Sequence, residues 1–200
     1  ETDKAWIYNA KPGLKRIEGL NFGIAGFGKI GKAVAKRAKS FGMNILAYDP
    51  YIPDDVIRQL GAEPVSMDGL LEESDVITIH MNLTAENQGM FDLEKFKKMK
   101  RCPILLNVAR GGAVNEQDLV YALDHNMVSG AGLDVLSSET PDMSTNPLVG
   151  RENVIITPHS AFYSTTTEYL LYKIPAENVL RCLEGKYKDA NRVVNGVGLE

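Results

Sequence analysis

The stretch "NFGIAGFGKIGKAVAKRAKSFGMNILAYDP", residues 21–50, constrains the fold more than any other part of the chain. An apolar run from Asn21 to Ala25 breaks at closely spaced glycines, Gly26, Gly28 and Gly31. Apolar residues then recur at Ile30, Val34, Ala38 and Phe41, the spacing of one helical face, and Gly42 closes that helix as a C-cap. A second apolar run, Ile45 to Tyr48, comes next. Strand, tight turn, helix and strand in this order form the unit from which parallel sheets are built.

The alternation continues along the chain. A helix is expected near Asp54–Leu60, strands at Val76–Ile79 and Ile104–Val108, and a helix over about Glu116–His125, with Asn115 and Asp118 fitting its N-cap. "GAGLDV" (130–135) and "NVIITP" (153–158) read as two more strands. A last helix starts near Thr165, where Thr165 and Glu168 have capping-box spacing, and Pro175 is expected to kink or split it before Gly185. The expected fold is therefore α/β, a doubly wound parallel sheet of the Rossmann type in three αβα layers. With 44% apolar residues the 200-residue chain can bury a sizeable core. No repeat period suggests a solenoid.

In such a fold the glycine turn has a specific use. The first glycine permits the turn, the second lets backbone approach a pyrophosphate, and the third lets the helix pack on the strand, while the helix N-terminus stabilises phosphate charge. A lone Gly-x-Gly-x-x-Gly is weak; here it comes after a strand, opens a helix, and leads to a second strand ending in Asp49. A carboxylate there accepts hydrogen bonds from ribose hydroxyls and repels a 2′-phosphate, which favours NAD over NADP. Gly26, Gly28, Lys29, Ile30, Gly31 and Asp49 are the expected cofactor-binding residues of this half.

Other classes are disfavoured. Twenty-two basic against 26 acidic residues, a net charge of −4, leave no surplus for nucleic acid or anionic membrane. No apolar run reaches the roughly 18 residues a membrane span needs. Cys102 and Cys182 stand far apart with no C-x-x-C pair, so neither a zinc site nor a disulfide framework is implied, and a reducing cytoplasm is the expected location.

Three polar residues come just after strand ends in the second half: Arg110 in "LLNVARGGAVNE", Glu139 in "GLDVLSSETP" and His159 in "ITPHSAFYS". Ligands of open α/β sheets bind at the carboxyl ends of strands, so these residues are candidates to share one crevice. Their types suit hydride transfer to a 2-keto acid. An arginine grips a carboxylate with its fork, a histidine delivers a proton to a developing alkoxide, and a neighbouring carboxylate fixes the histidine's tautomer.

"GFGKIG", "AYDPY", "LLNVARGG", "GLDV" followed by "ETP", and "TPHSAFYS", in this order between about Leu14 and Asn195, resemble the D-isomer-specific 2-hydroxyacid dehydrogenases. The resemblance implies NAD as cofactor and a small 2-keto or 2-hydroxy acid as substrate. It implies His159 as acid/base, Glu139 as its partner and Arg110 as the carboxylate clamp. It also implies that Asp134 lies near the nicotinamide, that Val108 lines the cofactor pocket and that His80 lies along the same crevice. His80 read alone is a strand-end residue with a structural role, and His125 has no assigned role.

The chain departs from the family pattern at Asn82, which stands where many members have proline in "H-x-P-L-T". Phe162 and Tyr163 resemble the variant ending of some lactate-type members and of the C-terminal-binding corepressors. Such an NADH-sensing interaction protein is the alternative reading, as is a phosphoglycerate dehydrogenase. A formate enzyme would have Gln where Glu139 stands. The chain reads as a coenzyme domain at 21–185, with residues 1–20 as the remnant of an interdomain linker and 186–200 starting the return to a substrate domain that it mostly lacks. On this reading the isolated chain is nearly inactive, and a homodimer is expected from the family.

Overall fold

In the computed structural model, which describes residues 14–186, the run after Leu20 forms β1 (Asn21–Ala25), and Gly26 turns the chain toward α1 (Lys29–Ser40). β2 (Asn44–Tyr48), α2 (Asp54–Gln59), β3 (Glu63–Pro64), α3 (Met67–Glu73) and β4 (Val76–Ile79) complete the first half. The second half comprises α4 (Leu93–Lys97), β5 (Ile104–Asn107), a 3-10 turn (Gly111–Ala113), α5 (Glu116–Asp124), β6 (Gly130–Leu133), β7 (Val154–Ile156) and α6 (Thr165–Leu183). The chain divides into two compact units, Glu1–His159 and Ser160–Glu200. Most of the expected linker and return segments lie outside the described residues.

The first unit holds a seven-stranded sheet in the order β3-β2-β1-β4-β5-β6-β7, with every pairing parallel. The strand order reverses between β1 and β4, the switch point at which open α/β sheets bind ligands. The register places Ala25 beside Tyr48 and Ile79, Ile79 beside Asn107, Asn107 beside Leu133, and Leu133 beside Ile156. The carboxyl ends of these strands therefore form one level rim. Every candidate site residue comes after one of them.

Alternation along the strands supplies two cores, as a sheet covered on both faces requires. Ile24, Ile45 and Ala47 pack with Ala35, Ala38 and Ile57 of α1 and α2 on one face. Ala25, Leu46, Ile77, Leu105 and Leu133 pack with residues of α3, α4 and α5 on the other.

The buried face of α1 differs from the expected one. Gly31, Ala35 and Ala38 face inward, whereas Ile30 and Phe41 are 65% and 63% exposed. Close approach of helix to strand selects small side chains there, and a Cβ on Gly31 would collide with the Gly26 carbonyl oxygen. Gly42, at φ 77°, succeeds the last helical turn in the left-handed conformation expected of a helix-terminating glycine.

In the second unit, α6 is capped one residue earlier than expected, by Ser164, whose Oγ accepts from Thr167 N at 3.0 Å. It also runs through Pro175 without being split. Proline removes one helical hydrogen bond, and the turns on either side of it remain helical.

Candidate active site

The glycines of the first turn stand there for three different reasons. Gly26 has φ 97°, and a Cβ on it would lie 2.8 Å from the His80 carbonyl carbon. Gly31 is held by close packing of α1 against Gly26. Gly28 is extended, at φ −71° and ψ −159°, and a Cβ on it would meet nothing within 4 Å. The protein's own packing therefore does not require glycine at 28. Directly after it α1 begins without a side-chain cap, with Lys29 and Ile30 exposed in its first turn. The leading N–H groups of a helix have no partner within the helix, so this end is open to an anion.

Asp49 closes the other side of the turn. Its Oδ2 accepts from Phe27 N at 2.7 Å and its Oδ1 from Tyr51 N at 2.9 Å. The carboxylate thus braces the glycine turn, and each oxygen keeps a second lone pair for a ligand hydroxyl. His80 N donates to Ala25 O at 2.8 Å, and Thr78 Oγ1 lies 3.0 Å from His80 Nε2. Burial lowers the pKa of His80 below its usual value, so the ring is neutral at pH 7.

At the end of β5, Asn107 is buried and its amide shapes the next turn: Nδ2 donates to Arg110 O at 3.0 Å and Oδ1 accepts from Ala109 N at 3.1 Å. Val108 and Arg110 are left exposed, and Arg110 Nη1 donates to Ala109 O at 2.7 Å.

After β6 comes Asp134, only 4% exposed, whose Oδ1 accepts from Thr157 Oγ1 beyond β7 at 2.5 Å. Two residues later His159 takes up φ 50°, a conformation costly for a residue with a Cβ. It is fixed there by its own N–H, which donates to Asp134 O at 2.7 Å and Thr157 O at 3.0 Å. Its ring then reaches Glu139: Nδ1 lies 2.8 Å from Oε2. Asp134, Glu139 and His159 line one cavity of about 280 Å³ with Met143, Ile156 and Pro158.

The structure thus brings Glu139 and His159 into contact and sets Asp134 beside them. Arg110 stands on the neighbouring strand end, with its guanidinium turned to its own turn. Gly26, Gly28, Lys29, Ile30, Gly31, Asp49 and His80 gather at the β1, β2 and β4 ends, and Val108 comes directly after β5. Among the described residues no cluster of three metal-ligating side chains occurs, and no helix is long and apolar enough to cross a membrane.

Comparison with known proteins matches residues 2–161 to the D-isomer specific 2-hydroxyacid dehydrogenase, NAD binding domain family. The chain belongs to this family. It is 42% identical over 170 residues to a glyoxylate reductase of Korarchaeum cryptofilum, covering 85% of this chain and 51% of that protein. It is 40% identical over 185 residues to a hydroxypyruvate reductase of Blautia hydrogenotrophica, covering 92% and 56%. The crystal structure of D-lactate dehydrogenase with NAD+ from Lactobacillus jensenii superposes with a TM-score of 0.80 at 29% identity, over 90% of this chain and 57% of that one. The chain spans about half the length of the relatives it matches.

Membership of the D-isomer specific 2-hydroxyacid dehydrogenases accounts for the parallel sheet as an NAD-binding fold. Sequence reasoning missed two supports of the second half of the rim, Asn107 and Thr157. Asn107, an amide at a strand end, carried a readable signal, because Asn caps turns through its own side chain.

Proposed function

We propose that the protein is an NAD-dependent D-2-hydroxyacid dehydrogenase acting on a small 2-keto or 2-hydroxy acid. The observation that carries this reading is the 2.8 Å contact of His159 Nδ1 with Glu139 Oε2 in the rim cavity of a chain of this family. The residues of the first turn fit the dinucleotide: Gly28 leaves open space, α1 presents an uncapped N-terminus, and Asp49 has lone pairs to spare.

NADH, when bound, supplies the hydride that reduces the keto carbon. Glu139 Oε2 accepts a hydrogen bond from the Nδ1–H of the doubly protonated His159 ring, which fixes the ring's orientation. His159 then gives the proton on Nε2 to the alkoxide oxygen as it develops, leaving a neutral imidazole and a hydroxyl group. In the oxidative direction the same nitrogen takes the hydroxyl proton. Arg110 leaves the Ala109 carbonyl to pair with the substrate carboxylate, a stronger, charge-assisted partner. Val108, His80 and Asp134 are assigned to the cofactor side of the crevice.

Two relatives named a glyoxylate reductase and a hydroxypyruvate reductase support small keto acids as the first to try. The test is NADH oxidation by the full-length protein with glyoxylate, hydroxypyruvate, pyruvate, branched 2-keto acids and the keto form of phosphoglycerate. Turnover of one of the unphosphorylated acids is the expected result. Turnover of the phosphorylated substrate alone makes it a phosphoglycerate dehydrogenase, and turnover of none favours an NADH-sensing binding protein. We further infer a coenzyme domain over 21–185, flanked by linker and return segments. We also infer a homodimer, from the family resemblance, and a cytoplasmic location, which the two free thiols support.

A further inference from the structure

Glu139 lies in a stretch without helix or strand between β6 and β7, and its side chain is largely exposed. Something other than regular structure must therefore hold it within bonding distance of His159. The backbone two and three residues before it carries the restraints. Ser137 N donates to Glu116 Oε1, a carboxylate 21 residues away in sequence. On the same two residues lies Gly111: a Cβ there would collide with the carbonyl carbon and oxygen of Leu136 and come within 2.7 Å of Ser137 N.

Glu116 is a rigid anchor. It sits in the first turn of α5, whose N-cap Asn115 accepts from Asp118 N at 3.2 Å. Asn115 N donates to Phe91 O at 3.0 Å, and Leu119, Ala122 and Leu123 bury the helix against the core. An acidic residue in a first turn ordinarily interacts with its own helix's N–H groups. Here the carboxylate instead reaches a separate segment.

We propose that Glu116 is a positioning residue: by holding Ser137 N–H it sets Glu139 against His159 and, with Gly111 packed on the same residues, couples the Arg110 turn to the Glu139 segment. The inference rests on the reading of His159 and Glu139 as the working pair. Loss of the Glu116 carboxylate releases the backbone before Glu139 without touching either member of that pair.

The test uses the 200-residue chain, uniformly labelled with 15N, and long-range proton–nitrogen correlation of its three histidine rings. The His159 signals are assigned with His159→Gln. In the wild-type chain the Glu139 contact favours the Nδ1–H tautomer of His159, and Glu139→Ala shifts the ring toward Nε2–H. Glu116→Ala is expected to shift it in the same direction by at least about half as much, while Glu116→Gln, which keeps an acceptor oxygen, stays with the wild type. In the full-length protein Glu116→Ala is expected to lower kcat about tenfold with an unchanged KM for NADH, the size of one hydrogen bond to a charged group. Glu116→Gln recovers most of that loss. A His159 tautomer unchanged in Glu116→Ala but altered in Glu139→Ala overturns the role of Glu116. A tautomer unchanged in Glu139→Ala overturns the pairing on which the proposed function rests. Because the tautomer is read without turnover, the first result stands whatever the substrate is.

Discussion

Thr157 Oγ1 donates to Asp134 Oδ1 at 2.5 Å, so a carboxylate that is 4% exposed after β6 is tied to the strand end beside it. The same two residues accept the His159 N–H through their carbonyl oxygens. Thr157→Val keeps the shape and removes the donor. It is expected to lower unfolding free energy by about 1–2 kcal/mol, since a hydrogen bond is lost while the carboxyl group stays buried. Urea unfolding measures it; an unchanged midpoint would show that the bond contributes nothing.

The two outer reasons for glycine in the first turn separate folding from binding. Gly26→Ala forces a Cβ into a positive-φ site against His80 and is expected to cost roughly 1–3 kcal/mol of stability. Gly28→Ala should leave the melting temperature unchanged and weaken NADH binding at least about tenfold, because the methyl occupies space meant for the ligand. Calorimetry of both variants checks this. A Gly28→Ala chain that binds NADH normally removes the phosphate-cradle reading.

Asp49 is expected to make NADH bind at least about tenfold more tightly than NADPH, since a carboxylate close to a 2′-phosphate is strongly repelled. Titration of the chain with both nucleotides, followed by fluorescence, measures the ratio. Equal affinities would remove Asp49 as the discriminating group.

His80 gives a pH signature. Burial depresses its folded-state pKa, so the unfolded chain takes up a proton more readily. This contribution to stability is fully present above the unfolded value near 6.5 and is lost as pH falls from there through the lower folded-state pKa. Unfolding free energies measured between about pH 7.5 and pH 5.5 should therefore fall more steeply for the wild type than for His80→Gln. Parallel slopes would place the acid sensitivity elsewhere.

His159→Ala is expected to leave NADH affinity of the chain within about twofold and to reduce turnover of the full-length protein by about 10²–10⁴. Steady-state kinetics beside nucleotide titration separate the two effects. Near-normal turnover removes His159 as the proton carrier.

Much of this arrangement is legible in the sequence because the parallel fold converts local signals into one rim. The apolar runs starting at Asn21, Ile45, Val76 and Ile104, with those in 130–135 and 153–158, mark strands, and the residues just past a strand end arrive at the crevice. The face of α1 is misread because periodicity counts Ile30 and Phe41 as inward on hydrophobicity alone, whereas the sheet admits only Gly31, Ala35 and Ala38. β3 and α4 are too short for periodicity to register, and α3 goes unread as well, although Ser66 and Asp92 mark the starts of both helices, accepting from Gly69 N and Lys95 N. Gly111 and Glu116 are not legible as site supports at all. Their partners are backbone atoms of residues 136 and 137, and nothing in a sequence records which backbone a side chain will meet.

A parallel sheet has two unlike rims, and this one concentrates the glycine turn, Asp49, Asp134, Glu139 and His159 at a single end. Cys102, an exposed thiol just before β5, belongs to the other end. A strand of this length separates the two by roughly 13 Å. With Cys182 changed to serine, the chain offers a natural handle: a dye or a solid support coupled through Cys102 would attach to the sheet at the rim opposite the crevice.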